Sequence, residues 1–277
     1  LEIISDPVTF LPIIAAFIAA GAAIGFLAGV FGVGGGAISV PVFFEIFGGV
    51  LGYPPDVAMP IAVGTSLAVI IPTSISSAHG HYKKGTLNLQ VLSAWALPIL
   101  SGVILGAAIA SFSVPVVFQA VFVLVALLNA VKLLSGGMRW QLSETLPSKF
   151  GMRLSGMTIG LTSSIMGIGG GALSNLFLTM HGVPIHRAIS TSAGVGVLIA
   201  LPGTIGYILV GLGRGDLPPG SLGFVSIFAF ALTIPTSLMT TQFGVALAHQ
   251  LPRRSLEIAF SGFLSLVAAR FIWAIFN

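Results

Sequence analysis

The chain has 277 residues, of which 56% are hydrophobic and 6% charged, with a mean hydropathy of +1.08, whereas a soluble domain carries roughly 25% charged residues. That balance excludes a water-soluble domain of ordinary size and makes a lipid bilayer the main solvent. The absence of cysteine excludes disulfides, thiolate metal sites and thiol nucleophiles, and the net charge of +4 lies on cations scattered between apolar segments rather than in the basic stripe of a nucleic-acid binder.

In chain order, the first apolar run covers residues 8–31 and reads as part of the fold, not as a cleavable signal peptide. Gly32, Val33, Gly34, Gly35 and Gly36 interrupt it, and apolar pieces follow near 36–52, 57–79, 87–112 and 114–134. A polar linker at about 135–152 precedes a second set near 153–166, 171–181, 186–211, 221–248 and 254–276. The two sets are copies of one pattern. Residues 25–39 align with 160–174 without a gap, Ala62-Val-Gly-Thr-Ser66 aligns with Ala188-Ile-Ser-Thr-Ser192, and Pro98 and Pro115 match Pro235 and Pro252. The expected fold is therefore a single all-α polytopic membrane domain of two repeats, about 8–134 and 153–276.

In the second copy the pieces flanking Gly167, Ile168, Gly169, Gly170 and Gly171 are about 14 and 11 residues long, short of the ~20 that cross a ~30 Å core. They predict a re-entrant hairpin of broken helices beside three spanning helices, an irregularity tolerated only inside protein or next to a wet cavity. An odd number of crossings per copy inverts the second relative to the first. With the N-terminus outside, Lys83, Lys84, Lys132, Arg139, Lys149, Arg153, Arg187, Arg253 and Arg254 fall on the cytoplasmic side, and only Arg214 and Arg270 outside. Glu2, Asp6, Asp56 and Asp216 collect on the outer face. This bias obeys the positive-inside rule and predicts inverted-topology repeats.

Each glycine loop leads into a short helix, so Gly34, Gly35 and Gly36, with Gly169, Gly170 and Gly171, can aim backbone N–H groups and a helix dipole at an anion. Close helix packing is the alternative use of such glycines. Thr65, Ser66, Thr191 and Ser192 can complete an uncharged cradle, or back-bond to their own helices. Asn175 and Ser39 can line the same space. Among ionisable groups, Glu45 is either a coupling group or a residue facing an outer vestibule, His79 and His81 either carry a proton in transport or make interfacial hydrogen bonds, and Arg187 either guides anions to the cytoplasmic mouth or is a plain topology signal, while Lys132 and Arg270 lie near helix ends and are expected to snorkel. Ser163 or Ser164 with His181 or His186 would be needed for an intramembrane hydrolase, but no Gly-x-Ser-x-Gly elbow is present. No metal or cofactor site is expected.

With these motifs the chain resembles the sulfite exporter TauE/SafE family, also called the TSUP transporters. Residues 25–41, Gly64-Thr65-Ser66 with the helix to His79, and residues 160–192 carry the match, which extends over nearly the whole chain. The resemblance implies a multi-pass transporter of the bacterial cytoplasmic membrane that moves sulfite, sulfonates such as sulfoacetate, or related small anions, often outward. The expected mechanism is alternating access with the anion held between the two loop tips; an anion channel of the same architecture is the alternative. Asn175-Leu176 stands where the first copy has Val40-Pro41, so the two half-sites are not expected to be equivalent.

Overall fold

The structure is a computed structural model that describes residues 7–31, 35–112, 114–135 and 141–276. Ten α-helices account for nearly all of the described residues: α1 (Pro7–Phe31), α2 (Gly36–Phe44), α3 (Pro55–Lys83), α4 (Leu89–Phe112), α5 (Pro115–Leu134), α6 (Lys149–Met166), α7 (Gly171–Met180), α8 (Ile185–Gly211), α9 (Ile227–Gln250) and α10 (Arg253–Phe276). Among the described residues, α1, α3, α4, α5, α8 and α10 contain stretches long and apolar enough to cross a bilayer. Large apolar side chains such as Leu97, Leu124 and Leu266 stand on the outside, which suits a surface solvated by lipid.

The helix limits follow the expected pieces closely, with two exceptions. The wider turn Glu45–Val50 continues α2 as a π-helix, an arrangement that often marks functional segments. Residues at the start of the expected piece 221–248 instead form a two-stranded hairpin, β1 (Ser221–Leu222) and β2 (Val225–Ser226), before α9 begins.

At the centre lies α3, whose most apolar stretch is 78% buried against 44% for α8 and 33% for α1, α4, α5 and α10. It runs antiparallel to α8: Gly64 meets Tyr207, Leu67 meets Gly203, Ser74 meets Gly196 and His81 meets Ser190. Around this pair the halves interlock by exchange. The first helix of the first copy, α1, packs on the fourth of the second, α9; the first of the second copy, α6, packs on the fourth of the first, α4; and the last helices, α5 and α10, pack on each other.

Glycines permit these close crossings. Gly21 and Gly25 of α1 lie against the α9 backbone at Thr233 and Ser237, and Gly156 and Gly160 of α6 lie against Trp95 and Ile99 of α4. A Cβ at Gly160 would lie 3.0 Å from Ile99 Cα. Small residues four apart thus let backbones approach without any hydrophobic drive between helices in lipid, and the Thr240 hydroxyl adds a 2.9 Å bond to Ala22 O.

Candidate functional site

The two glycine loops meet about halfway along α3 and α8. A Cβ on Gly36 would lie 2.8 Å from Ile168 Cα and 3.0 Å from Gly167 O, and one on Gly167 would lie 2.9 Å from Val63 Cα of α3. A Cβ on Gly169 would lie 3.4 Å from Gly196 Cα of α8. At Gly36 and Gly167 only hydrogen fits, so the backbones themselves are in contact, while at Gly169 a Cβ would strike the Ile70 side chain at 2.9 Å. Gly34 lies outside the described residues, as do Gly32 and Val33.

The second loop has two parts. Gly167, at φ 68°, ends α6 in the left-handed region, with its N–H bonded to Ser164 O and that of Ile168 to Ser163 O. These are the two capping bonds of a Schellman turn, so these two amides serve α6. Gly170, at φ 67°, then starts α7. The N–H groups of a helix's first turn have no partners within the helix, which leaves those of Gly171 and its neighbours facing forward. In the first copy Gly35 opens α2 with φ 52°.

A serine pair sits behind each loop, at matching positions. Ser39 Oγ and Ser66 Oγ are 2.5 Å apart, and Ser66 donates to Gly167 O at 2.8 Å. In the other copy Ser174 donates to Ser192 Oγ at 2.9 Å and approaches Gly170 O at 2.7 Å, while Ser192 bonds to Ala188 O in its own helix. All four serines are buried. Ser174 was not among the expected site residues, although the ungapped alignment ends on it opposite Ser39 and contains the signal that identifies it.

The threonines of the two Thr-Ser motifs face elsewhere. Thr65 Oγ1 accepts from the N–H of Ser226 at 3.0 Å, and Ser226 is the N-cap of α9. Thr191 Oγ1 accepts from the N–H of Asn88 at 3.3 Å, and the Asn88 side chain caps the first turn of α4. Each threonine therefore holds the start of the fourth helix of the opposite copy.

Two buried polar atoms stand without a hydrogen-bond partner beside the second loop, Ser163 Oγ and Asn175 Oδ1. Ser163 is 0% exposed, and its hydroxyl is 3.3 Å from the place a Cβ on Gly170 would occupy. Native structures rarely leave such groups unsatisfied; a bound water or ion, local strain or a functional role accounts for those that remain. Between the hairpins, the first-turn residues Ala37 and Ala172 border a cavity of about 10 Å³, on the order of a single water. This conformation is closed around the loops.

The charged candidates lie apart from the loops. Glu45, at the start of the π-turn, pairs with Arg270 of α10, Nε to Oε1 at 3.0 Å and Nη2 to Oε2 at 3.2 Å; Arg270 does not snorkel free. Lys132 donates to Thr179 at the end of α7 at 2.8 Å. His81 Nδ1 is 3.1 Å from Ser190 Oγ, which tethers the end of α3 to the start of α8. His79, His186 and Arg187 are not buried, Ser164 bonds to Val103 O, and His181 Nδ1 lies 2.8 Å from Phe177 O. Neither histidine proposed for a hydrolase is bonded to Ser163 or Ser164 among the described residues.

A helical bundle of apolar spans with glycine breaks meeting at mid-depth belongs to the class of multi-pass membrane proteins. The family model "Sulfite exporter TauE/SafE" matches residues 17–271, and the chain belongs to that family. It is 32% identical over 248 residues, 90% of this chain and 94% of the relative, to a "Probable membrane transporter protein" of Haemophilus influenzae. It is 28% identical over 266 residues, 93% of this chain and 95% of the relative, to a protein of similar description in Methanocaldococcus jannaschii. No solved structure matches the chain.

Proposed function

We propose that the chain exports a small sulfur-containing anion, sulfite or an organosulfonate such as sulfoacetate, by alternating access across a bacterial cytoplasmic membrane. The observation that carries the choice of site is the unpartnered Ser163 hydroxyl beside the positive-φ Gly170 that opens α7. A hydroxyl donor, the forward-facing amides of Gly171 and its neighbours, and the Asn175 amide, turned to present its NH₂, together suit an oxyanion. No full charge is buried against it, so binding is modest and release easy. The first loop and its Ser39–Ser66 pair form the opposite wall, and the ~10 Å³ cavity opens when the halves rock apart.

Two features support inverted topology for that motion. α3 and α8 are matching helices that run antiparallel, so the two-fold relation exchanging them reverses direction across the bundle. Lys132, Lys149, Arg187 and Arg254 border the end where Leu142 and Ser143 reach Met180 O, while Asp56 acts electrostatically on Arg214 beside Asp216 at the other. Single cysteines placed at Ser148 and Asp56 are expected to react with an impermeant maleimide from opposite faces of oriented vesicles; labelling from one face contradicts the inversion.

The function is tested in proteoliposomes with radiolabelled sulfite and sulfoacetate. Saturable flux with counterflow is expected from the wild type, and a loss of more than about 10-fold from Gly170→Val, whose side chain would strike Ile199 and Val195. Flux that does not saturate and shows no counterflow points to a channel instead.

A further inference from the structure

We infer that Arg270 is a second docking site for the anionic substrate, with Glu45 as a built-in counter-anion that must be displaced for the site to fill. This rests on the transporter reading and adds to it a second site.

The first observation is space. A groove of about 500 Å³ lies between α1, α2 and α10, separate from the small cavity between the loops. One wall is the alanine face of α1, Ala16, Ala19, Ala20 and Ala23, and its charged lining is Glu45 and Arg270. The second is access. The side chains of Arg270 and Glu45 are 42% and 45% exposed, so an anion in the groove reaches the guanidinium directly.

The third is chemistry. Glu45 pairs with Arg270 through one hydrogen bond, Nη2 to Oε2 at 3.2 Å, while Oε1 lies 3.0 Å from Nε without a hydrogen bond; a guanidinium whose fork is not fully used by its carboxylate can take a planar or trigonal oxyanion on both nitrogens. A sulfonate can take the place of the Glu45 carboxylate one for one, with a short methylene tail against the alanines. Beneath the guanidinium the Trp273 ring, 5.0 Å from it, keeps the cation in position when its partner leaves.

Comparison with the opposite end shows that the carboxylate is a special feature. There the last helix of the first copy also ends in a cation on the short helix of the other copy, but Lys132 meets the neutral hydroxyl of Thr179, and Met180 stands where Glu45 would. A simple clasp therefore works without an acid. Few other charges face Glu45. The described part of α1 has none, α2 has none besides Glu45, α10 brings Arg270 with its remaining charges Arg253, Arg254 and Glu257 at its far end, and α3 brings Asp56 in its first turn.

The test uses the full chain in phosphatidylcholine liposomes, with saturable binding and flux of radiolabelled sulfoacetate followed at neutral pH. Glu45→Gln is expected to tighten apparent affinity about 10-fold, and Arg270→Gln to weaken it about 10-fold or more. Arg270→Lys, which keeps the charge, serves if the glutamine variant fails to fold. Effects of the same sign in both variants would mark the pair as a clasp and overturn the proposal. So would loss of retained phosphatidylglycerol from Arg270→Gln with sulfoacetate affinity unchanged, which assigns the guanidinium to a lipid headgroup. Wild-type-like behaviour of both variants alongside normal wild-type flux refutes the docking site alone, whereas absence of saturable wild-type flux refutes the transporter reading itself.

Discussion

In the first hairpin Ala28 and Val40 stand at the positions that Ser163 and Asn175 hold in the second. Val40 is wholly buried, and its side chain fills the space against Gly167. The serine pairs behind the loops are the same in both copies, so the duplicated frame has been kept while one side became apolar packing and the other retained polar groups without partners. Their far ends differ too, since the first hairpin ends in the Glu45–Arg270 ion pair and the second in the Lys132–Thr179 hydrogen bond. A two-fold frame thus carries unequal halves, one filled by apolar side chains at these positions and the other holding polar atoms without partners.

The sharpest way to break this comparison is at the two helix-opening glycines. Gly35→Ala meets only ordinary contacts with Ile24 and Ala28 and should cost about 1 kcal/mol for its positive φ. Gly170→Ala meets the same strain together with Ile199, and Val195 at 3.2 Å, and should cost about 2–4 kcal/mol in a denaturation titration. Equal costs would mean that the loops are equivalent. Next come the serines. Ser66→Ala removes the partner of both Ser39 and Gly167 O and is expected to destabilise by about 1–3 kcal/mol, whereas Ser192→Ala leaves Ser174 its bond to Gly170 O and should cost about 1 kcal/mol or less. Thermal melting of the two variants checks the order.

The smallest effect lies outside the bundle core, between α8 and β1. There Arg214 donates to Asp216, and this hydrogen bond holds the Asp216 carboxyl below its ordinary value. A depressed acid stabilises above its unfolded-state value and loses that contribution as pH falls through the folded one. Both side chains are more than a third exposed, so Asp216→Asn should change stability by less than about 0.5 kcal/mol at neutral pH and by nothing at low pH. A larger change would mean that this end is more tightly built than its exposure indicates.

Much of this architecture is legible in the sequence because lipid enforces it. Charges and prolines bound apolar runs whose length fixes the helices, so Phe31, Phe112 and Leu134 end elements where their runs end. The glycine loops declared themselves by repetition. Partner choice did not, because it depends on which residues meet across the bundle: nothing local says that Thr65 takes the N–H of Ser226, 161 residues away. The β1–β2 hairpin was also hidden, since two-residue strands around Gly223 and Phe224 show no alternation. Ser163 was visible as a hydroxyl, but its lack of a partner is a property of packing alone. The Glu45–Arg270 pair escaped for the same reason, each residue appearing solitary on its own helix.

The exchange of helices between copies has a consequence for biosynthesis. α1 leaves the ribosome well before the helix it packs against, α9, is made. Until then Gly21 and Gly25 present a bare backbone groove to lipid, and the Thr65 hydroxyl awaits an amide that has not been translated. The first half is therefore inserted before it can be assembled, and its helices must remain loosely associated in the bilayer until the second half arrives. Either copy expressed alone would lack its partner at each of the largest interfaces, so the two copies are expected to be stable only together.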